Sequence, residues 1–198
     1  EVGVRERGLG FRALPMDIRD ELGSPDGRRV LRTSPLAMAR FMRLYARHWE
    51  RMGEAVEVAA DGADLVLTSP MGWLGVHVAE GMGIPSAGVY LQPMTPTREF
   101  PPWLVTTRSL GPWGNVRAAH TARTLGMVPF SRAVNGLRRR LGLRPTSPRA
   151  FFRRLDATRW PIFYGISPTV LPSPADWPPH HRTVGYWWPQ REPGWEPD

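Results

Sequence analysis

The sequence contains no cysteine and no long apolar run, and each absence removes a class of protein. Without cysteine there is no disulfide framework, thiolate zinc site or cysteine nucleophile. No apolar run reaches the length of about 18 residues that a transmembrane helix needs. The 198 residues can bury roughly 70% of the surface that the unfolded chain exposes, so the sequence is long enough to build a core without such cross-links.

Lysine is also absent, and all 26 basic residues are arginine, giving a net charge of +8. A net positive charge of this size is typical of proteins that bind nucleic acid, because arginine neutralises phosphate. The arginines, however, are spread along the whole sequence, and no recognition motif accompanies them. We therefore predict no nucleic-acid partner. The one tight cluster, Arg138, Arg139 and Arg140, indicates either a solvated helix face or a patch that contacts anionic lipid at a membrane periphery.

Apolar periodicity predicts alternating strands and helices. Residues 64–68 form a short apolar run typical of a strand buried on both faces, and Ser69-Pro70 then predicts a helix start. That helix continues to Gly83, and residues 84–91 form the next strand. A strand, a helix and a strand in about thirty residues form a βαβ unit with a right-handed crossover.

Further elements predicted in the same way are an edge strand over 10–14, a helix over 34–58, a helical region over 112–141 with a break at 126–129, and a buried strand over 160–167. The predicted fold class is therefore α/β, a Rossmann-like parallel sheet flanked by helices.

Catalytic and metal-binding motifs are missing. GxSxG, the P-loop, GxGxxG and HExxH do not occur, and none of the five histidines stands at a metal-ligand spacing with a carboxylate. His180 and His181 follow two prolines and are expected to be exposed. We predict no metal and no cofactor, and the residues present include no self-contained catalytic set.

Residues 92–103 form a loop rich in proline, hydroxyl and large apolar side chains directly after the second strand of the βαβ unit. In open parallel sheets, ligands bind at the carboxyl ends of the strands. The loop is therefore the first candidate for a binding site.

Three segments together resemble a known family. Residues 91–101, 173–180 and 184–187, in this order, resemble the N-terminal, acceptor-binding domain of GT-B glycosyltransferases. The most similar groups are the sterol and lipid glucosyltransferases and the glycopeptide and macrolide antibiotic glycosyltransferases. Residues 64–70 and 135–143 support the resemblance.

The resemblance implies a domain organisation. Family members have two Rossmann-like domains, so residues 1–185 are expected to be an acceptor-binding domain that lacks its first strand-helix unit. Residues 186–198 are expected to begin the interdomain linker, with the nucleotide-sugar domain absent. The general base is expected in the missing N-terminal segment, so no catalytic residue is assigned and the chain alone is expected to be inactive.

The resemblance also implies a set of acceptor-binding residues. In some members an aspartate orients a histidine base, but here Ser69 stands at that position, and serine cannot stabilise an imidazolium as a carboxylate does. An acidic base in the missing segment is expected instead. The acceptor-binding residues are expected to be Ser69, Met71, Trp73, Met94, Thr95, Thr97, Phe100 and Trp103.

The activity that the resemblance implies is transfer of a hexose, from UDP-glucose, to a hydroxyl of a hydrophobic acceptor such as a sterol, lipid or polyketide. The nucleotide sugar is a co-substrate held mainly by the absent domain, and the expected location is cytoplasmic with a membrane-peripheral contact. Two alternatives stay open. One is a non-catalytic module that binds a hydrophobic ligand or a membrane surface, and the other is a non-enzymatic partner that activates a separate transferase.

Overall fold

The computed structural model describes residues 2–15, 48–49 and 51–188. The predicted helix over 34–58 lies mostly outside these residues, and its described parts, 48–49 and 51–58, are helical. Of the predicted linker, only residues 186–188 are described.

The described residues contain both strands and helices, as the sequence predicts. The strands are β1 (Val66–Thr68), β2 (Ser86–Tyr90), β3 (Ile162–Tyr164) and β4 (His181–Thr183). The helices are α1 (Val2–Arg5), α2 (51–59), α3 (Trp73–Met82), α4 (Gly111–Met127), α5 (Ser131–Arg140) and α6 (Pro148–Ala157), with a 3-10 turn Val128–Phe130 joining α4 to α5. The predicted break in the long helical region is thereby confirmed.

The four strands form one parallel sheet in the order β1-β2-β3-β4. Each strand lies beside the next in the sequence, and helices connect β1 to β2 and β2 to β3. Crossovers between parallel strands are almost always right-handed, which puts these helices on the same face of the sheet. Helix α3 contacts both β1 and β2 there. The predicted α/β class with a parallel sheet flanked by helices is confirmed.

Two apolar clusters fill the space on this face. The first lies among the helices, where Trp49, Leu74, Val78, Phe130 and Leu137 are buried. The second lies against the sheet and contains Tyr90, Phe151, Ile162, Tyr164 and Trp177. Trp73 packs against both clusters, so α3 links the helical layer to the sheet.

The prediction that β1 is buried on both faces is wrong. Leu67 is 55% exposed, while its neighbour Thr68 is buried. The reason is that the described helices pack on the other face of the sheet. On the face that the described helices leave open there is an apolar groove of about 500 Å³, and its lining includes Leu67, Val89, Phe163 and Trp187.

Two local predictions are also wrong. Residues 10–14 form no strand, since none of the described strands pairs with them. Ser69 does not cap α3. It lies in a turn in which the Ser69 carbonyl accepts a hydrogen bond from the Gly72 N–H, and the helix begins at Trp73. The predicted helix end is confirmed, because Gly83 adopts the left-handed conformation with φ of 70°.

Helix α6 was not predicted. Ser147 caps it, accepting a hydrogen bond from the Ala150 N–H at 3.2 Å, and Pro148 occupies the first turn. Serine followed by proline is the start signal that the sequence contains at this position.

Candidate functional site

The candidate site lies along the carboxyl edge of the sheet. Strands β1, β2 and β3 run parallel, so Thr68, Tyr90 and Tyr164 end at the same edge. The loop 92–103 leaves from β2 at this edge, as the sequence predicts.

A chain of hydrogen bonds fixes the start of this loop to the sheet. The Thr95 N–H donates to the Tyr164 hydroxyl oxygen at 2.9 Å, and the two hydroxyls are 2.6 Å apart. The Thr95 hydroxyl is also 2.9 Å from Nδ1 of His181. One loop residue therefore joins β3 to β4.

Burial sets the protonation of this chain. Desolvation raises the pKa of Tyr164 to about 12, so the phenol keeps its proton. Desolvation, and then the neighbouring His180, lower the pKa of His181 to about 4, partly opposed by a hydrogen bond with the Trp160 backbone. A neutral His181 carries one N–H. With that proton on Nε2, Nδ1 accepts from the Thr95 hydroxyl, which in turn accepts from the Tyr164 hydroxyl; with the proton on Nδ1, the direction of both bonds reverses.

A second contact fixes the middle of the loop. The Thr97 hydroxyl donates to one Asp176 oxygen at 2.5 Å, and the Arg98 N–H donates to the other at 2.8 Å. These hydrogen bonds outweigh desolvation and lower the pKa of Asp176, so the carboxylate stays ionised at neutral pH. Glu99 adds a bond from the Ala175 N–H. Two of the segments that carry the family resemblance are thus in direct contact.

The eight predicted acceptor-binding residues fall into three groups. Thr95 and Thr97 are buried in the hydrogen bonds just described. Trp73, Met94 and Phe100 pack against the core clusters. Ser69, Met71 and Trp103 are exposed. The structure therefore does not gather all eight residues in one pocket. Five are buried or packed and support the carboxyl edge of the sheet, and three lie on the protein surface.

The packed aromatics have identifiable neighbours. Trp73 lies with its ring centroid 5.9 Å from that of Trp49 and 6.1 Å from that of Phe130. Phe100 meets Trp177 edge to face at 6.5 Å. Both side chains therefore contribute mainly to the packing of the core.

The arginine cluster is not an open basic patch. Arg138 is 3% exposed and donates to Glu80 at 2.6 and 3.1 Å and to the Arg144 carbonyl at 2.6 Å. Arg140 pairs with Glu54 and Glu57 of α2 at 2.6 and 2.7 Å. Acidic residues on neighbouring helices thus neutralise two of the three charges, which sequence spacing cannot reveal.

The same cluster holds a buried histidine. His77 is fully buried, with Nδ1 3.0 Å from Arg138 and its ring against Phe151. Desolvation lowers the pKa of His77, and the hydrogen bond with Glu80 opposes this. Arg154 also donates to Glu80, so three helices meet at one carboxylate. Although desolvation opposes the shift, the hydrogen bonds that Glu80 accepts lower its pKa well below the ordinary value.

Sequence reasoning missed three residues of the edge: Tyr164, Asp176 and His181. His180 and His181 were expected to be exposed, but both are half-buried because β4 joins the sheet beside β3. Asp176 belongs to a segment that the resemblance already singled out, so its position was available as a signal.

Within the described parts of the chain, no three histidine or acidic side chains are grouped so that they could hold a metal ion. Among the same residues, no helix has the length and apolar character to cross a bilayer. The edge offers apolar surface, hydroxyls and a neutral imidazole held in internal hydrogen bonds.

Comparison with known proteins identifies relatives. No protein-family model matches the chain. O-mycaminosyltylonolide 6-deoxyallosyltransferase from Streptomyces fradiae is 34% identical over 205 residues, which cover 98% of the chain. Sterol 3-beta-glucosyltransferase from Leptosphaeria maculans is 35% identical over 141 residues, 70% of the chain, and that from Debaryomyces hansenii is 34% identical over 131 residues, 65% of the chain.

The chain is homologous to part of these glycosyltransferases. The resemblance stated from the sequence is confirmed for sterol glucosyltransferases and for a macrolide glycosyltransferase. The chain spans 46% of the Streptomyces relative and 9% of the Leptosphaeria relative.

Proposed function

We propose that this chain forms the acceptor-binding part of a glycosyltransferase that moves a hexose, from UDP-glucose, to a hydroxyl of a sterol, lipid or polyketide. The observation that carries the proposal is the alignment of 98% of the chain with a glycosyltransferase whose name specifies a tylonolide acceptor. The match of 70% of the chain with a sterol glucosyltransferase supports extending the proposal to sterols, a second class of apolar alcohol.

The carboxyl edge supports this role. Its loop is anchored by Thr95 and Thr97 before any ligand arrives, which lowers the entropy cost of ordering a binding surface. Met71 is 42% exposed and Trp103 49% exposed, so apolar area is available for an acceptor. In the proposal Ser69, Met71 and Trp103 contact the acceptor directly, and the five buried or packed residues hold them in place.

In this proposal the chemistry needs groups from elsewhere in the whole protein. A base removes the proton from the acceptor hydroxyl while that oxygen attacks the anomeric carbon, and the bond to the nucleoside diphosphate breaks. Thr95, Tyr164 and His181 hydrogen-bond one another and so position the loop rather than act as that base. A second domain holds the nucleotide sugar, and closure of the two domains brings both substrates together.

A transfer assay with the complete protein tests the proposal. UDP-glucose and other nucleotide sugars are offered with sterols, macrolide aglycones and apolar polyketide alcohols, and glycosides are detected by mass. We expect product with at least one apolar alcohol. Met71→Gln is expected to lower kcat/KM about tenfold by removing apolar contact, an effect of about 1.4 kcal/mol.

The matched control for that variant is Leu125→Gln, which changes a side chain 62% exposed on α4, away from the loop. It is expected to keep the wild-type kcat/KM. Absence of transfer from every nucleotide sugar to every apolar alcohol contradicts the proposal.

A further inference from the structure

The segment that follows the candidate loop exposes an unusual amount of apolar surface. We call the set Leu104, Val105, Leu110 and Trp113 the Trp113 surface. Leu104 is 64% exposed and Trp113 is 70% exposed. Exposed apolar side chains that are gathered in one short segment are typical of an interaction site on a folded protein.

Hydrogen bonds fix the backbone beneath this surface. Asn115 is buried, and its Nδ2 donates to the Arg98 carbonyl at 3.1 Å while its Oδ1 accepts from the Leu110 N–H at 2.9 Å. The Pro102 carbonyl accepts from the Val105 N–H at 2.8 Å. These bonds tie both ends of the segment together, so its apolar side chains are presented by an ordered turn.

The charges around the surface have one predominant sign. The Arg98 guanidinium lies 4.4 Å from the centre of the Trp113 ring, and Arg108 and Arg117 are exposed in the same segment. Two carboxylates lie beside this segment: Glu99, which accepts the Ala175 N–H, and Asp176, which accepts the Arg98 N–H and the Thr97 hydroxyl. Tryptophan and leucine surrounded by arginine are the residues that lie at the interface of an anionic bilayer.

We propose that the Trp113 surface docks the protein on anionic lipid membranes. Leu104, Val105 and Trp113 enter the interfacial region, and Arg98, Arg108 and Arg117 contact lipid phosphates. This surface replaces the arginine cluster on α5 as the membrane contact, because the charges of Arg138 and Arg140 are already paired. The proposal is independent of sugar transfer.

The test is co-sedimentation of the 198-residue chain with phosphatidylcholine vesicles, with and without one quarter phosphatidylserine. We expect binding to the anionic vesicles that weakens as salt is raised, and little binding to the neutral ones. Leu104→Ser combined with Trp113→Ser is expected to reduce partitioning at least tenfold. Arg108→Gln and Arg117→Gln are each expected to reduce it about fivefold.

Matched controls separate this surface from others. Leu125→Ser combined with Trp188→Ser changes one exposed leucine and one exposed tryptophan elsewhere, and Arg139→Gln removes an exposed arginine of α5. Both are expected to bind like the wild type.

Several results overturn the proposal: wild-type protein that stays in the supernatant, equal binding to neutral and anionic vesicles, or equal losses in the controls. Self-association of the wild type that the Leu104→Ser and Trp113→Ser pair abolishes, without vesicle binding, assigns the surface to a second copy and overturns it as well. Circular dichroism checks that the variants fold, and the salt dependence of the wild type decides the question without any variant. Failure here leaves the transfer assay unaffected.

Discussion

At the scale of single residues, the loop is held by hydrogen bonds between buried polar groups. Tyr164 is completely buried, and its hydroxyl meets both the amide and the hydroxyl of Thr95. Burying such groups is unfavourable unless each is hydrogen-bonded. The chain through Thr95 to His181 satisfies them together, and loss of the Tyr164 hydroxyl leaves the Thr95 N–H without its partner.

Replacement of Tyr164 by phenylalanine tests this chain. Tyr164→Phe removes the hydroxyl and leaves the Thr95 N–H buried without its partner, so we expect a loss of about 1–3 kcal/mol in the free energy of unfolding. Urea denaturation followed by tryptophan fluorescence measures the loss. The control Tyr186→Phe, at an exposed residue, is expected to change the stability by less than about 0.5 kcal/mol. Equal effects in both variants contradict the role assigned to the Tyr164 hydroxyl.

The buried histidines give a prediction about pH. The pKa of His181 is lowered to about 4, and that of His77 is also lowered, both by burial. Between pH 6.5 and about 4 the unfolded chain therefore binds protons that the folded chain does not, so stability must fall as pH falls through this range. Each such histidine contributes a slope of at most about 1.4 kcal/mol per pH unit.

Urea denaturation at about pH 7.5, 6.5 and 5.5 measures that slope. His181→Gln keeps a polar side chain but does not titrate, so we expect the free energy of unfolding of this variant to change less with pH between about 6.5 and 5.5 than that of the wild type. Stability that is constant or rises as pH falls through this range disagrees with the assigned protonation of His181.

At the scale of elements, α3 lies unusually close to β1. A methyl group built on Gly75 meets Cγ2 of Thr68 at 2.9 Å and Cγ1 of Val66 at 3.2 Å. Both partners are β-branched and fixed in the sheet, so they have little freedom to move. The approach of the helix to the strand depends on this glycine.

Gly75→Ala should therefore destabilise the protein although alanine favours helices by about 1 kcal/mol. We expect a net loss of about 1–3 kcal/mol, the usual cost of overpacking. Gly136→Ala in α5 is the matched control, since a methyl group added there meets nothing within 4 Å, and it is expected to be neutral or stabilising. Thermal denaturation of both variants decides: a stabilised Gly75→Ala variant is incompatible with the close packing.

Sequence patterns predicted the elements better than the contacts between them. The βαβ unit followed from apolar runs and from Gly83, features that are local in the chain. The anchoring of the loop did not, because Thr95 and Thr97 find their partners 69 and 79 positions away. The pairing of Arg138 with Glu80 is equally distant, at 58 positions, so spacing alone suggested an open basic patch.

At the scale of the whole molecule, the described fold is asymmetric. One face of the sheet is covered by helices, while Leu67, Val89 and Phe163 line an open groove on the other. Parallel sheets normally have both faces covered. At right angles to these faces, the carboxyl edge carries the anchored loop, and this edge is where we propose that the acceptor binds.

Equilibrium binding to the 198-residue chain is the sharpest test of the proposed acceptor site. Tryptophan fluorescence is followed during titration with a soluble sterol analogue, a macrolide aglycone and UDP-glucose. We expect saturable binding of at least one apolar alcohol, weakened about tenfold by Met71→Gln and unchanged by Leu125→Gln, with much weaker binding of UDP-glucose. Saturable binding of UDP-glucose with no binding of any apolar alcohol contradicts the proposal that this chain binds the acceptor.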